Sequence, residues 1–115
     1  MNKICVLQSE IWMADLEPVQ GSEQGGKRPV LVVSGNSMNE SLPVVIVCML
    51  SGKVKGFPCC LVILPTKSNG LKSTSEVLVF QIRTISKQRL NKKIGLIKQT
   101  EFAQVLQGLH EVLVY

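Results

Sequence analysis

A polar connection between two apolar segments holds the side chains best suited to chemistry. It runs from Glu17 to Lys27, contains three glycines, and leads directly into Arg28. A hairpin ordinarily needs only about two to five connecting residues, so an eleven-residue connection in a short chain indicates a functional loop. The planar guanidinium of Arg28 suits bidentate binding of a phosphate. A structural role is the alternative, in which Arg28 caps a sheet edge or pairs with Glu23 of the same loop.

A second group of interest follows the third apolar segment. Lys53 and Lys55 lie in a glycine-containing stretch, and Phe57 comes two residues later. Single-stranded RNA is bound by positive charge along its backbone and by aromatic rings against its bases, which is the combination found here. The alternatives are two solvated lysines and a phenylalanine that belongs to the core.

Histidine and cysteine chemistry find less support. His110 is the only histidine, so a two-histidine acid–base mechanism cannot be built, and its place beside an apolar stripe predicts a helix-flank residue. No Cys-x-x-Cys pair is present among the four cysteines, which argues against a zinc site. We expect all four to be reduced thiols in a cytoplasm that serve packing.

Short runs rich in Val, Ile and Leu dominate the chain and predict strands. The predicted strands are Glu10–Leu16, Arg28–Ser34, Pro43–Leu50, Cys59–Leu64, Glu76–Arg83 and a short sixth, Lys92–Ile97. They follow one another too closely for intervening helices, which favours an antiparallel sheet that curls or closes into a small barrel. Residues 35–43 and the Ser68-Asn69-Gly70 turn separate strands, and the alternation around Trp12 places its ring in the core.

The end of the chain has a helical period instead. Apolar residues recur there at steps of three and four, at Phe102, Val105, Leu106, Leu109, Val112 and Leu113. We predict a helix over Glu101–Leu113 with Thr100 as its N-cap, packed on the sheet. Ser86–Leu90 can form one further helical turn. With no linker or repeat in view, residues 1–115 are predicted to be a single domain.

Composition narrows the class of protein. The chain is 45% hydrophobic and carries a net charge of +5, which excludes a disordered chain. Its longest apolar run, Pro43–Leu50, is too short to span a membrane. We expect neither a secretory signal nor a membrane as partner. Residues 51–115 hold ten basic and three acidic side chains, a net +7 that favours a polyanionic partner, although a solvated basic surface explains it equally well.

The segment EIWMADLEPVQGSEQGGKRPVLVV resembles the N-terminal signature of the MazF/PemK toxin family, which includes Kid. The matching residues are Glu10, Trp12, Asp15, Pro18, the run Gly21-Ser22-Glu23-Gln24, Gly26 and the run Arg28-Pro29-Val30. Two later stretches, LPVVIVCMLSGKVKGFP and FQIRTISKQRL, resemble the third strand with its basic loop and the region of the fifth strand.

This resemblance implies a mainly-β fold, a small SH3-like antiparallel barrel with a C-terminal α-helix, as in MazF, Kid and CcdB. It also implies the toxin of a type II toxin–antitoxin system, an mRNA interferase that cuts single-stranded RNA at specific sequences without a metal or other cofactor. In such a reaction the ribose 2′-hydroxyl attacks phosphorus and leaves 2′,3′-cyclic phosphate and 5′-hydroxyl ends.

Catalytic roles are implied residue by residue. Arg28 matches the arginine of the family's Arg-Pro-Val run, and Ser51 takes the place of a family threonine; a slip of one residue would put Leu50 there instead. A guanidinium is effectively always protonated, so Arg28 is expected to stabilise the phosphorane and to donate a proton rather than to act as a base. Glu23 is then a base or the partner that orients Arg28, and a solvated loop acid is the alternative.

The resemblance also implies an RNA path and partners. RNA contacts are expected at Gln24, Lys27, Lys53, Lys55, Phe57, Gln81 and Arg83, with Phe80 departing from the acidic residue that relatives often have before this glutamine. Partners are a second copy of the chain, which completes an RNA groove, and an antitoxin with an acidic, disordered tail. The alternatives are a non-enzymatic toxin of the same fold that binds DNA gyrase, and a nuclease-dead RNA-binding relative.

Overall fold

A computed structural model describes residues 4–16 and 26–114. In these ranges the elements are β1 (Glu10–Asp15), β2 (Lys27–Val32), α1 (Asn36–Ser41), β3 (Val44–Ser51), β4 (Leu61–Ile63), β5 (Ser75–Ser86), a 3₁₀ turn (Lys87–Arg89), β6 (Leu90–Leu96) and α2 (Gln99–Val114). The 3₁₀ turn lies within the stretch predicted to form one helical turn. No helix in the described part of the chain is both long and apolar enough to cross a membrane.

The strands form one curled antiparallel sheet in the order β4-β5-β3-β2-β1-β6. The mainly-β fold with a C-terminal helix is therefore confirmed. The strand predicted at Cys59–Leu64 is wrong at its start, because β4 begins only at Leu61. Cys59 has a φ of +69°, a left-handed conformation that cannot continue an extended strand.

Alternating side chains build two cores on the two faces of the sheet. On one face, which we call the helix face, Leu50 and Val77 pack with Phe102 and Val105 of α2. On the other, which we call the second face, Trp12, Val30, Val47 and Met49 belong to a separate buried cluster. Trp12 is 8% exposed, so its predicted place in the core is confirmed.

Glu10, the acidic residue that opens the family-like signature, holds the start of β1. It is buried, and its carboxylate accepts hydrogen bonds from the Leu7 N–H at 2.9 Å and from the Trp12 indole N–H at 3.0 Å. Lys93 of β6 adds an ion pair at 3.1 Å. A buried carboxylate is tolerated when its oxygens are bonded in this way. Glu10 thus connects the segment before β1, the Trp12 ring and β6.

Helix α2 starts earlier than predicted, so Thr100 as N-cap is wrong. The helix begins at Gln99, and Glu101 in its first turn accepts a hydrogen bond from the Lys98 N–H at 3.1 Å, which places Lys98 at the cap. Gly108 lies in the buried stripe, where a Cβ atom would collide with the carbonyl oxygen of Cys59. The glycine thus lets the chain before β4 lie directly against α2.

Two features were not predicted. Residues 36–41 form the short helix α1 inside a stretch interpreted as a loop, where buried Asn39 donates to the Ser34 carbonyl at 2.9 Å. Strand β5 is also longer and less regular than predicted. Leu78 pairs with Met49 and Ile82 with the adjacent Cys48, so the pairing with β3 skips Val79, Phe80 and Gln81 in a wide bulge.

Candidate functional site

Arg28 and Ser51 lie at the same end of two neighbouring strands. The recorded register of β2 and β3 pairs Val30 with Met49 and Val32 with Val47. The recorded pairing stops at Val30 and Met49, and Arg28 and Ser51 each lie two residues further along, toward the same end of the two strands. Both side chains then point to the second face of the sheet, since they alternate in step with Val30 and Met49.

Leu50 is placed differently. It is 1% exposed, pairs with Val77 of β5, and packs in the core on the helix face. Successive residues of a strand point to opposite faces, so Leu50 faces away from the side that Arg28 occupies. Of the two residues considered for the position of the family threonine, Ser51 is the one that shares a face with Arg28.

The strand ends around Arg28 add further charges. Arg28 is half-buried and lies opposite Ala14 in the strand register of β1 and β2. Exposed Lys27 lies opposite Asp15 in the same register. The Arg89 guanidinium donates to the Asp15 carbonyl at 3.2 Å, which holds the end of β1 against the turn before β6. The hairpin that carries Arg28 is therefore anchored on its β1 side.

The hydroxyl of Ser51 is engaged in a local turn. It accepts a hydrogen bond from the Lys53 N–H at 3.1 Å and lies 3.4 Å from the Lys53 carbonyl, to which it donates. The donated bond is long, so a phosphate oxygen on this face could compete for the proton. The turn starts the basic loop, which we define as residues 52–57.

A buried carboxylate holds the basic loop. Glu76 is 0% exposed, and it accepts hydrogen bonds from the backbone N–H groups of Lys55 at 2.8 Å, Gly56 at 3.2 Å and Phe57 at 2.8 Å. Glu76 is also the cross-strand partner of Ser51. The sequence marks Glu76 only as the first residue of a predicted strand, so this role is not predicted from it.

The basic loop and β5 carry the other predicted RNA contacts. Lys53, Lys55, Gln81 and Arg83 are all exposed. Arg83 pairs with Val47 and so lies on the same face as Ser51, about 13 Å away along β3 at 3.3 Å per residue. Phe57 is 39% exposed, so its interpretation as a core residue is wrong.

The remaining predicted site residues, Glu23 and Gln24, lie outside the described residues. The geometry brings together Arg28, Ser51 and the basic loop at one end of the sheet. Residues 7–113 match the family described as PemK-like, MazF-like toxin of type II toxin-antitoxin system.

The chain belongs to the PemK/MazF toxin family.

Solved structures share this fold over nearly their whole length. MazF from Deinococcus radiodurans superposes with a TM-score of 0.80 at 24% identity, covering 98% of this chain and 100% of that one. A MazE–MazF structure from the same organism gives a TM-score of 0.78 at 25% identity, over 96% and 97%. An endoribonuclease in complex with its cognate antitoxin, from a mycobacterial species, gives 0.78 at 21% identity, over 94% of each chain.

The histidine and cysteines of this PemK/MazF toxin lie outside the group formed by Arg28 and Ser51. His110 is exposed on α2, as predicted for a helix flank, and Cys48 is buried in the core on the helix face. Burial raises the pKa of the Cys48 thiol to about 12. Cys5 is exposed, so its predicted packing role is wrong.

Cys59 instead makes a polar contact with α2. Its thiol donates to the Glu111 carboxylate at 3.1 Å, and this hydrogen bond raises the pKa of the thiol and lowers the pKa of Glu111. Across residues 4–16 and 26–114, no group of three or more His, Cys, Asp or Glu side chains is arranged to hold a metal ion.

Proposed function

We propose that this toxin is an endoribonuclease that cuts single-stranded RNA at specific sequences without a metal ion. The observation that carries the proposal is the placement of Arg28 and Ser51 on one face at adjacent strand ends, where the basic loop begins. A cation and a hydroxyl in this arrangement can bind the same phosphate.

The reaction begins with attack of the ribose 2′-oxygen on the adjacent phosphorus. The new bond from that oxygen to phosphorus closes a 2′,3′-cyclic phosphate as the bond to the 5′-oxygen breaks. A base removes the proton of the 2′-hydroxyl, and the departing 5′-oxygen takes up a proton to leave a 5′-hydroxyl end. The dianionic phosphorane between these steps is where a positive charge contributes most.

Arg28 supplies that charge in our proposal. Its guanidinium remains protonated and presents several N–H donors in one plane, so it can bind two phosphorane oxygens and pass a proton to the leaving oxygen. The Ser51 hydroxyl donates to a non-bridging oxygen and orients the phosphate. Glu23 of the preceding loop serves as the base or as the group that orients Arg28.

The RNA strand is proposed to follow the positive side chains of the same region. Lys53 and Lys55 belong to the basic loop that Glu76 holds, and Arg83 continues the path along β5. Gln24, Lys27 and Gln81 are proposed as further contacts. Exposed cations bind phosphates without reading sequence, so they place the strand while other groups select the bases.

Two protein partners are part of the proposal. Structural relatives include an endoribonuclease in complex with its cognate antitoxin and a MazE–MazF structure. An antitoxin with an acidic tail would be attracted by the net +7 of residues 51–115. We also propose that the toxin acts in the cytoplasm as a homodimer whose two copies line one RNA groove.

The test is an incubation of the purified toxin with a mixed-sequence RNA in excess EDTA, followed by analysis of the product ends. We expect cleavage with 2′,3′-cyclic phosphate and 5′-hydroxyl ends. A requirement for added magnesium, or 5′-phosphate ends, would overturn the mechanism. If no RNA is cut, binding of RNA supports the nuclease-dead alternative, and inhibition of DNA gyrase supports the protein-binding toxin.

A further inference from the structure

We propose that Phe57 and Phe80 form a stacking platform for one base of the RNA, and that the buried Glu76 carboxylate holds Phe57 in place. The inference rests on the proposed nuclease function and adds to it a specificity-determining subsite. The observations behind it are the contact between the two rings, their exposure, and the way each backbone is held.

The two rings meet at the surface. Their centroids are 5.1 Å apart and their planes are inclined at 80°, an edge-to-face pair. Phe57 is 39% and Phe80 46% exposed, so the pair leaves much of its aromatic surface in contact with water. Ring faces of this kind can stack against a nucleobase, and every base presents a flat π surface for the purpose.

Phe57 is held by its backbone on both sides. Its N–H donates to Glu76 at 2.8 Å, and its carbonyl accepts from the Cys60 N–H at 3.2 Å. Gly56 before it has a φ of +70°, which a residue with a side chain rarely adopts. A buried carboxylate is unfavourable unless it is fully bonded. The three N–H groups of the loop satisfy this requirement and thereby fix the position of Phe57.

Phe80 is positioned by the bulge in β5. The β3–β5 pairing passes from Leu78 directly to Ile82, and Phe80 is the middle residue of the three that it skips. Bulges bend a strand and redirect side chains out of the regular alternation. In this chain the Phe80 ring contacts the ring of Phe57, which lies in the loop held by Glu76. The bulge and the buried carboxylate therefore both position the aromatic pair.

Positive charge in the same two segments as the rings favours nucleic acid as the occupant. Lys53 and Lys55 precede Phe57 in the basic loop, and Arg83 follows Phe80 on β5; all three are exposed. A phosphate backbone is attracted to these cations while one of its bases lies on the rings, which is how single-stranded RNA is usually bound. An apolar side chain of a protein partner is the competing occupant, and the test includes it.

The test is a binding cycle between protein variants and modified RNA. The probe is a 2′-O-methyl oligonucleotide with the sequence that the parent cuts, which lacks the attacking hydroxyl and stays intact. A matched set replaces one nucleotide at a time by an abasic site. We expect Phe80→Leu and Phe57→Leu each to weaken binding of the intact probe by about 5- to 100-fold, and to change nothing further when the stacked position is abasic.

Conservative and control variants sharpen the result. Phe80→Tyr keeps a ring and should retain parental affinity, and Leu64→Ala, which truncates a side chain that is 65% exposed, should do the same. Glu76→Gln replaces one acceptor oxygen by an amide that cannot accept. It should weaken binding of the intact probe and leave Phe57→Leu with little additional effect, whereas a merely destabilising change would leave the two effects additive.

Each failure has its own signature. If the parent cuts RNA but the phenylalanine variants lose equal affinity for intact and abasic probes, the platform is wrong and the nuclease function stands. If the variants weaken only antitoxin binding, the pair belongs to the protein partner. If the parent cuts no RNA, its binding to four homopolymers is compared with its binding to an abasic strand. Equal affinity for the homopolymers and the abasic strand overturns the platform.

Discussion

Ser51 and Glu76 are direct partners across β3 and β5, and the Glu76 carboxylate holds the loop that Ser51 begins. The Ser51 hydroxyl bonds to Lys53 of the same loop, so the hydroxyl proposed to contact phosphate and the loop proposed to contact RNA both adjoin Glu76. A substitution of Glu76 should therefore disturb both the Ser51 hydroxyl and the basic loop, although Glu76 is not proposed to contact RNA.

The first prediction follows from this relationship. Glu76→Gln should accelerate amide hydrogen exchange at Lys55, Gly56 and Phe57, because at least one N–H loses its acceptor. Exchange in the middle of α2, for example at Val105, serves as the internal control and should change far less. Unchanged exchange in the loop would mean that other contacts hold it.

Arg28 provides a test of the catalytic charge. Arg28→Ala should lower the cleavage rate by about 10²- to 10³-fold, the scale for removal of one transition-state donor. Arg28→Lys should restore little, because a point charge does not reproduce a bidentate fork. Lys67→Ala removes a charge from an exposed turn and controls for net charge. Circular dichroism establishes folding, and a fully active Arg28→Ala variant would place the site elsewhere.

Substitutions of Ser51 should change the cleavage rate, whereas a substitution of Leu50 should change stability. Ser51→Ala should slow cleavage while RNA affinity stays within about threefold, and Ser51→Thr should be at least as active as the parent, because a β-branched side chain restricts χ1. Leu50→Thr should give no gain in activity and should lower the free energy of unfolding by about 2–4 kcal/mol, since it puts a hydroxyl in the core. Rate assays and urea denaturation separate the two, and a more active Leu50→Thr would contradict the placement of Leu50.

The buried thiol of Cys48 should make the free energy of unfolding decrease at alkaline pH. Burial raises the pKa of this thiol from 9.0 to about 12. Above pH 9 the unfolded chain releases the proton while the folded protein retains it, so the free energy of unfolding falls as pH rises toward 12. In Cys48→Ala this part of the decline should vanish. Urea denaturation at several pH values measures the slope, and identical slopes in both proteins would show that Cys48 does not contribute.

Gly108 tests the contact between α2 and the chain before β4. Gly108→Ala raises helix propensity by about 1 kcal/mol, yet it should destabilise the protein, because the new Cβ atom collides with the Cys59 carbonyl. Gln104→Ala, on the exposed side of the same helix, should leave the unfolding midpoint nearly unchanged. A gain in thermal stability for Gly108→Ala would show that the backbone can move apart without loss.

The regular elements could be predicted from the sequence because their signals are local. Short runs rich in Val, Ile and Leu indicated the six strands found in residues 4–16 and 26–114, and the apolar period of three and four indicated α2. The run GSEQGGKRPV carried the family resemblance, since its residues are contiguous. The start of β4 was missed because a left-handed residue, Cys59, interrupts an apolar run that is otherwise typical of a strand.

Tertiary structure decided how the residues of the site are combined. The face to which Ser51 and Leu50 point depends on the strand register, which a sequence pattern leaves open by one residue. The hold of Glu76 on Phe57 joins groups 19 residues apart, and the edge-to-face contact of Phe57 with Phe80 depends on a bulge. Such contacts form between segments that meet only when the sheet curls, so the sequence determined the class of fold and the chemical groups, and long-range packing determined which of those groups lie together.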